Sequence, residues 1–339
     1  MANYSRLDVL NNIMDAGLVP VFYNPDIDIA KKVAKACLDG GSRMLEFTNR
    51  GDFAPEVFKE LSQYCRKEAS QIILGVGSIV DEATAALYIA YGANFVVGPI
   101  LNEAVARMCN RRKIPYMPGC GSASEISYAE ELGVEIVKVF PGDSVGGPNF
   151  VKSILGPTPW TKIMPTGGVE TTQESIAAWF KAGVAAVGVG SNLIKKELIQ
   201  SGDYASLSAK TSQVISWIKE VRSGSPFLGI EHIGLYPKIG ENGQELADWY
   251  AKVFGFNLKT GNTSIFVEGP GSGRLEIIKE GSQERCHIAV RVSDFTNAVA
   301  ALQAKGFELE EQKLKPDSKS VFLKQTDPAG NRVHILWRL

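Results

Sequence analysis

Eight short apolar runs, alternating with stretches of helical periodicity, fill roughly the first 220 residues and constrain the fold more than any other feature. The runs are 18–23, 44–48, 72–76, 95–97, 116–118, 136–140, 163–166 and 186–189. Runs of this kind, without polar alternation, suit strands covered on both faces, as in a parallel sheet. Between them, segments 28–36, 56–61, 81–87, 103–112, 124–132, 149–155 and 172–182 carry apolar residues at helical spacing. Gly40-Gly41, Gly92, Gly133 and Gly183 stand where those helices should stop. Eight β/α units of this size predict an α/β fold, a (β/α)8 TIM barrel. A doubly wound open sheet is the alternative, but no G-x-G-x-x-G follows the first run.

One run breaks its own rule. Ile136-Val137-Lys138-Val139-Phe140-Pro141 is apolar except for a lysine in the middle. Burying an ammonium is costly, and the usual escape is loss of the proton. A neutral amine is what a Schiff-base nucleophile needs. The plain alternative is a lysine that snorkels from a strand end or pairs with a carboxylate.

In a barrel of this type the chemistry sits at the C-terminal strand ends. Those ends supply Glu46-Phe47-Thr48-Asn49-Arg50, Gly75-Val76-Gly77-Ser78 and Gly98-Pro99, then Lys138 with Phe140. The last two ends are Pro165-Thr166-Gly167-Gly168-Val169 and Gly188-Val189-Gly190-Ser191. Two glycine-rich turns, each opening a helix after strands seven and eight, make a ready anion site. Each glycine pair also reads as a tight turn alone.

Taken in order, Leu45-Glu46-Phe47-Thr48-x-Arg50, Lys138-x-Phe140-Pro141 and Pro165-Thr166-Gly167-Gly168 resemble the class I aldolases of 2-keto-3-deoxy-6-phosphogluconate and 4-hydroxy-2-oxoglutarate. The resemblance covers the whole first domain. It implies Lys138 as the imine-forming lysine, Glu46 as the proton-shuttling carboxylate and Arg50 as the ligand of a pyruvyl carboxylate. It implies Pro99 and Phe140 as pocket walls, Ser78 and Thr166 as substrate contacts, and Gly167, Gly168, Gly190 and Ser191 as the phosphate site. No cofactor is implied for the barrel, and a homotrimer is. The chain departs from the family pattern in several places. Ser78 and Gly51 stand where threonine is usual, Cys120-Gly121-Ser122 where Ile-Ser-Thr is, and Tyr23-Asn24 where residues are more aliphatic. The chemistry fits without the analogy: cleaving a carbon–carbon bond beside a carbonyl needs an electron sink, which an imine supplies, and a proton carrier, expected as Glu46 on a neighbouring strand.

The 339 residues exceed what one core usually holds, so two domains are expected, 1–222 and 229–339, joined by a linker over 223–228. That linker contains Ser223-Gly224-Ser225-Pro226. The formal net charge of −1, without a long basic run, argues against nucleic acid or an anionic membrane as partner. No apolar run is long enough to span a bilayer, and no secretory pattern follows Met1. Five scattered cysteines without a C-x-x-C point to a reduced, cytoplasmic setting and to a role as small buried hydrophobes.

The remaining residues are an internal repeat. Glu231-His232-Ile233-Gly234-Leu235 returns as Cys286-His287-Ile288-Ala289-Val290, and Arg274-Leu275-Glu276-Ile277-Ile278 as Arg332-Val333-His334-Ile335-Leu336. Each half reads as βαβββ, so the second domain is expected to be α+β. All 3 histidines of the chain fall at repeat-related positions. His232, Glu276, His287 and His334 therefore form two equivalent pairs of N/O donors, which suits a divalent metal such as Zn, Fe, Ni or Mn. This half resembles the vicinal-oxygen-chelate family, which includes glyoxalase I, and Asp327-Pro328-Ala329-Gly330-Asn331 matches that family's turn before its last strand. His334 stands where glutamate is commoner, and a degenerate domain kept for packing is the alternative. The expected whole is an aldolase that splits a 2-keto-4-hydroxy acid, phosphorylated by resemblance, into pyruvate and an aldehyde. A phosphosugar epimerase barrel, or an idle barrel with a metabolite-binding tail, would read similarly.

Overall fold

Each apolar run of the first half becomes a strand whose two faces are both covered. In chain order the elements are α1 (Arg6–Ala16), β1 (Leu18–Phe22), α2 (Ile27–Asp39), β2 (Met44–Thr48), α3 (Ala54–Glu68), β3 (Ile73–Gly77), α4 (Glu82–Ala90), β4 (Val96–Val97) and α5 (Glu103–Arg112). They continue with β5 (Tyr116–Met117), β6 (Gly119–Cys120), α6 (Ala123–Glu131), β7 (Val137–Val139), α7 (Gly147–Leu155), β8 (Ile163–Pro165), α8 (Gln173–Lys181), β9 (Val187–Val189), α9 (Lys196–Ser201) and α10 (Tyr204–Ser223). The computed structural model describes residues 2–269, 273–281, 286–315 and 317–338. It divides into two compact units, Met1–Val221 and Arg222–Leu339.

The strands of the first unit pair in parallel in the order β5-β4-β3-β2-β1-β9 and β6-β7-β8. Pro118, which has no N–H to donate, splits the fifth strand into β5 and β6. The Thr166–Gly188 bridge joins β8 to β9, so the ring of strands closes as a (β/α)8 barrel.

Period-two alternation sorts the strand residues. Leu18, Leu45, Phe47, Leu74, Val137 and Val139 face the surrounding helices in one core. Val19, Met44, Ile73, Met117, Ile136, Met164 and Ala186 face inward and form a second core with Val9, Leu10 and Ile13 of α1. The sequence reading missed α1, which uses that face to stop the lower end of the barrel. It also missed α9, and its periodicity marks α10 only over 214–222, because the buried residues before Val214 are only Leu207 and Thr211.

The second unit contains β10 (Phe227–Leu235), α11 (Gly243–Phe254), β11 (Asn257–Thr260), β12 (Ser264–Glu268), β13 (Arg274–Ile278), β14 (Cys286–Val292), α12 (Phe295–Ala304), β15 (Lys313–Leu314), β16 (Ser318–Phe322) and β17 (Arg332–Arg338). The expected linker is shorter than 223–228, because α10 holds Ser223 and β10 begins at Phe227. One sheet runs β11-β12-β13-β10-β14-β17-β16-β15, symmetric about its central pair. The registers repeat as well: Gly234 pairs with Glu276 on β10–β13, and Ala289 with His334 on β14–β17. The repeat is looser after α12, where Gly306-Phe307-Glu308-Leu309 matches Gly255-Phe256-Asn257-Leu258 in sequence but not in structure. There only an isolated bridge between Leu309 and Leu323 forms, and the edge strand is β15. The helices cover one face of the sheet: α11 packs on Ile265, Val267 and Ile277, and α12 on Val292, Val321 and Ile335.

No helix among the described residues is long and apolar enough to cross a membrane. All five cysteines are free, four of them buried and Cys286 partly so.

Candidate active site and candidate metal centre

Alternation puts Lys138 on the inward face of the barrel, two residues above Ile136 of the lower core, and Glu46 two residues above Met44. The two do not lie on neighbouring strands, as the sequence reading expected. β2 pairs with β1 and β3, while β7 pairs with β6 and β8, so the side chains meet across the interior. Room for the carboxylate is made by Gly77 on β3, where a Cβ would run into Glu46 Oε1. Thr48 continues the same face, and its hydroxyl donates to the Phe22 carbonyl at 3.3 Å.

Burial governs both groups. Lys138 is 5% exposed and Glu46 1%. Burial pushes the Lys138 ammonium below its usual range; the Glu46 charge opposes this and Arg50 reinforces it. Burial pushes the Glu46 carboxyl up, with Lys138 and Arg50 opposing. Glu46 Oε2 has no hydrogen-bond partner among the described residues. Such a pair gives a lysine able to act as a free amine beside a carboxyl able to hold and return a proton. Lys138 Nζ sits over the Phe140 ring, 4.6 Å from its centroid.

A cavity of about 510 Å3 opens beside Thr48, Arg50 and Phe140, and neither Lys138 nor Glu46 is on its wall. Of the expected site residues its wall includes Arg50, Phe140, Thr166, Gly167, Gly168, Gly190 and Ser191. Ser78 stands behind Arg50: its hydroxyl accepts from Arg50 Nε at 3.3 Å, and its backbone takes the left-handed φ of 61°. Pro99 is not part of that wall. Its carbonyl packs against Gly119, the residue in register with Lys138, on the inward side of β6. Gly167 and Gly168 take φ of 89° and 71°, which only glycine holds without strain. The wall also contains Tyr23, Asn24, Asn192 and Lys196. Lys196 is exposed and makes no hydrogen bond or ion pair among the described residues. The sequence reading missed Lys196 because α9 went unrecognised, and stopped one residue short of Asn192 in the turn after β9. It noted Tyr23-Asn24 only as departures.

The second constellation is on the helix-free face of the other sheet. His232, His287 and His334 are buried, and their donor nitrogens lie within 4.8 Å of one another. Nε2 of His232 and Nε2 of His287 are 3.2 Å apart. Glu276 Oε2 lies 2.9 Å from the first and 3.4 Å from the second. Such separations resemble the edges, roughly 3–4 Å, of a coordination sphere with metal–ligand bonds of about 2.0–2.2 Å. His334 has neither ring nitrogen hydrogen-bonded, although both are buried. Burial, with His287 and His232 adding to it, pushes its pKa down to about 3, so it is a neutral ligand-type imidazole. Glu231 binds His232 Nδ1, and the Tyr236 hydroxyl meets His287 Nδ1 at 3.0 Å, which leaves both Nε2 atoms aimed at the centre. Strict alternation would put Glu231 on the other face. A register irregularity between Ile230 and His232 brings both inside, a detail that sequence periodicity cannot show. The residues present therefore fit a divalent ion.

Comparison with known proteins follows the same division. Residues 9–210 match the family model described as KDPG and KHG aldolase. The chain belongs to this aldolase family. Residues 229–335 match the glyoxalase/bleomycin resistance protein/dioxygenase superfamily, so the second unit is a glyoxalase-like domain. The chain is 31% identical over 200 residues to the 2-dehydro-3-deoxy-phosphogluconate aldolase of Treponema pallidum, covering 58% of this chain and 91% of the relative. It is 28% identical over 202 residues to the KHG/KDPG aldolase of Escherichia coli K12, covering 60% and 92%. Among solved structures, the KDPG aldolase of Legionella pneumophila, with pyruvate captured as a covalent carbinolamine, superposes with a TM-score of 0.56 and 25% identity over 60% of this chain and 97% of that one. The KDPG aldolase of Zymomonas mobilis ATCC 29191 superposes with a TM-score of 0.54 and 25% identity, over 61% and 97%. The family matches thus divide the chain between an aldolase barrel and a glyoxalase-like tail.

Proposed function

We propose that the barrel is a class I aldolase that cleaves a 2-keto-4-hydroxy acid, of the 2-keto-3-deoxy-6-phosphogluconate or 4-hydroxy-2-oxoglutarate type, into pyruvate and an aldehyde. The observation that carries this reading is the buried Lys138, its ammonium disfavoured, sharing the barrel interior with a buried Glu46 whose acid form is favoured. The Lys138 amine adds to the C2 carbonyl; the Glu46 carboxyl gives its proton to the carbinolamine hydroxyl, which leaves as water, so that a protonated imine and the Glu46 carboxylate remain. Glu46 takes the C4 hydroxyl proton as the C3–C4 bond breaks. The bond's electron pair moves into the imine, giving an enamine and the free aldehyde. Protonation of the enamine at C3 and hydrolysis release pyruvate and return the amine. Arg50, steadied by Ser78, holds the pyruvyl carboxylate, and Phe140 and Thr166 shape the surroundings of the imine.

The far end of the cavity suits a phosphate. Gly167, Gly168, Gly190 and Ser191 can offer backbone N–H groups, and the unpaired Lys196 adds a cation. A phosphorylated keto acid is therefore the proposed substrate. Borohydride trapping with pyruvate tests the reading. A pyruvyl adduct on Lys138 is expected, and cleavage that persists in Lys138→Ala without an adduct elsewhere rejects it in favour of acid–base chemistry.

For the tail we propose a divalent ion, Zn, Fe, Ni or Mn, held by His232, Glu276, His287 and His334. Such an ion would polarise the carbonyl of a ligand with vicinal oxygens. A homotrimer built through the barrel is also proposed. Phe53, Val80 and Ile100, in the loops after three consecutive strands, are 75%, 49% and 54% exposed, which leaves an apolar face to cover. Sedimentation of the full chain tests it.

A further inference from the structure

The sheet face that carries the four proposed donors also carries arginines for which the metal reading has no use. Arg274 lies two residues before Glu276 on β13, Arg291 four after His287 on β14, and Arg338 four after His334 on β17. Alternation puts each on the face of its donor. The side chains converge. The Arg274 guanidinium lies 4.8 Å from the Phe266 ring centroid and that of Arg338 5.6 Å from the same ring, which also edges onto His232. Glu231 binds both Arg274 Nη2 and His232 Nδ1, and Arg338 Nη1 is 3.8 Å from it. Arg291 is largely buried, and burial depresses its proton affinity, with Glu231 opposing and the charges of Arg274 and Arg338 reinforcing.

Two guanidiniums thus contact one buried carboxylate and Arg291 shares their sheet face, while the half-exposed Glu268 takes only Arg274 Nη1, at 3.2 Å. Positive charge gathered in a partly buried place, beside a centre suited to a cation, is costly unless an anion joins it. The surplus is one-sided. The repeat equivalent of Arg274 is Arg332, which is neutralised by both oxygens of Glu310 at 2.7 and 2.9 Å, and the equivalent of Glu231 is Cys286. A ligand with one charged end would therefore lie across the sheet in a single direction.

We propose that Arg274, Arg291 and Arg338 form an anion subsite, so that the second unit takes a small ligand bearing a carboxylate or phosphate at one end and vicinal oxygens at the other. The vicinal oxygens rest on the metal reading; the anion subsite does not. Hydrogen–deuterium exchange of the full chain, read by peptide mass over residues 274–278, 286–292 and 332–338, tests it. The probes are glycerol 3-phosphate, pyruvate and neutral glycerol, each with and without added Zn2+. At least one anionic probe should protect these segments and glycerol should not; which anion protects at lower concentration distinguishes phosphate from carboxylate. In Arg291→Gln and Arg338→Gln the half-protecting concentration should rise at least tenfold with zinc content unchanged, and Arg338→Lys should recover part of the loss. Protection without zinc uptake keeps the subsite and removes the metal centre. Zinc uptake without protection by either anion, or with protection unaltered in both glutamine variants, overturns the subsite and keeps the metal. Neither uptake nor protection overturns both.

Discussion

The hydroxyl of Tyr23 occupies the space that a side chain at residue 51 would need: a Cβ built on Gly51 falls 2.6 Å from Tyr23 Oη. Two departures from the family pattern, Tyr23 after the first strand and Gly51 after Arg50, are thus one steric exchange at the cavity wall. Gly51 also holds φ of 109°, a conformation that L side chains rarely adopt. Gly51→Ala should lower stability by about 1–3 kcal/mol through backbone strain alone, and by more through the clash. Adding Tyr23→Leu should recover the clash part and leave the strain. Thermal unfolding of the single and double variants measures the split, and full additivity would show that the two residues do not compete for space.

Imine formation should depend on pH through Lys138. Trapping by borohydride requires the neutral amine, so its rate should climb with pH through a midpoint below the usual 10.5, because burial disfavours the ammonium. The Glu46 charge favours the ammonium, so Glu46→Gln should move the midpoint lower still, while slowing turnover by about 10²–10⁴. The linkage has a definite sign. Between the folded and the unfolded pKa the unfolded chain binds more protons, so this lysine makes stability rise with pH in that window. Lys138→Met, free of the burial penalty at lower pH, should melt above the wild type there.

Gly77 should be as sensitive as Glu46 itself. A methyl at residue 77 has no place except where Glu46 Oε1 lies. Gly77→Ala should lower kcat to the range of Glu46→Gln, and the double variant should be little worse than either single one. A fully active Gly77→Ala protein would mean that the carboxylate needs no fixed position.

Lys196 should set part of the preference for a phosphorylated substrate. Its contribution is that of an exposed cation, about 0.2–1 kcal/mol. Lys196→Gln should raise KM for the phosphorylated keto acid by roughly 1.4- to 5-fold with little change in kcat, and the difference should fade at high salt. An unphosphorylated analogue should not respond to the substitution.

The metal of the tail should be separable from the aldolase. A chelator should strip it and leave cleavage unchanged, since imine chemistry uses none. His232→Ala and His334→Ala should each lower divalent-metal content measured by elemental analysis, the second despite the poor basicity of His334. Unaltered occupancy in both would remove these residues from the site.

The eight barrel strands were legible because each buries two faces and must therefore be apolar throughout, and the tail's repeat because its two halves keep one register on either side of the β10–β14 pair. Lys138 stood out for the same reason, as the one ammonium in a strand with no solvent side. What the chain's own pattern left open belongs to contacts between segments far apart in sequence. Periodicity says which way Lys138 and Glu46 point, but only closure of the ring brings β2 and β7 face to face. It shows the histidines and hides Glu231, because a local irregularity in β10 reverses the face expected of that residue. It counts arginines on three strands, but only the fold gathers them beside one carboxylate. Local pattern is a property of neighbours in the chain, whereas these sites depend on distances that burial and sheet register set together.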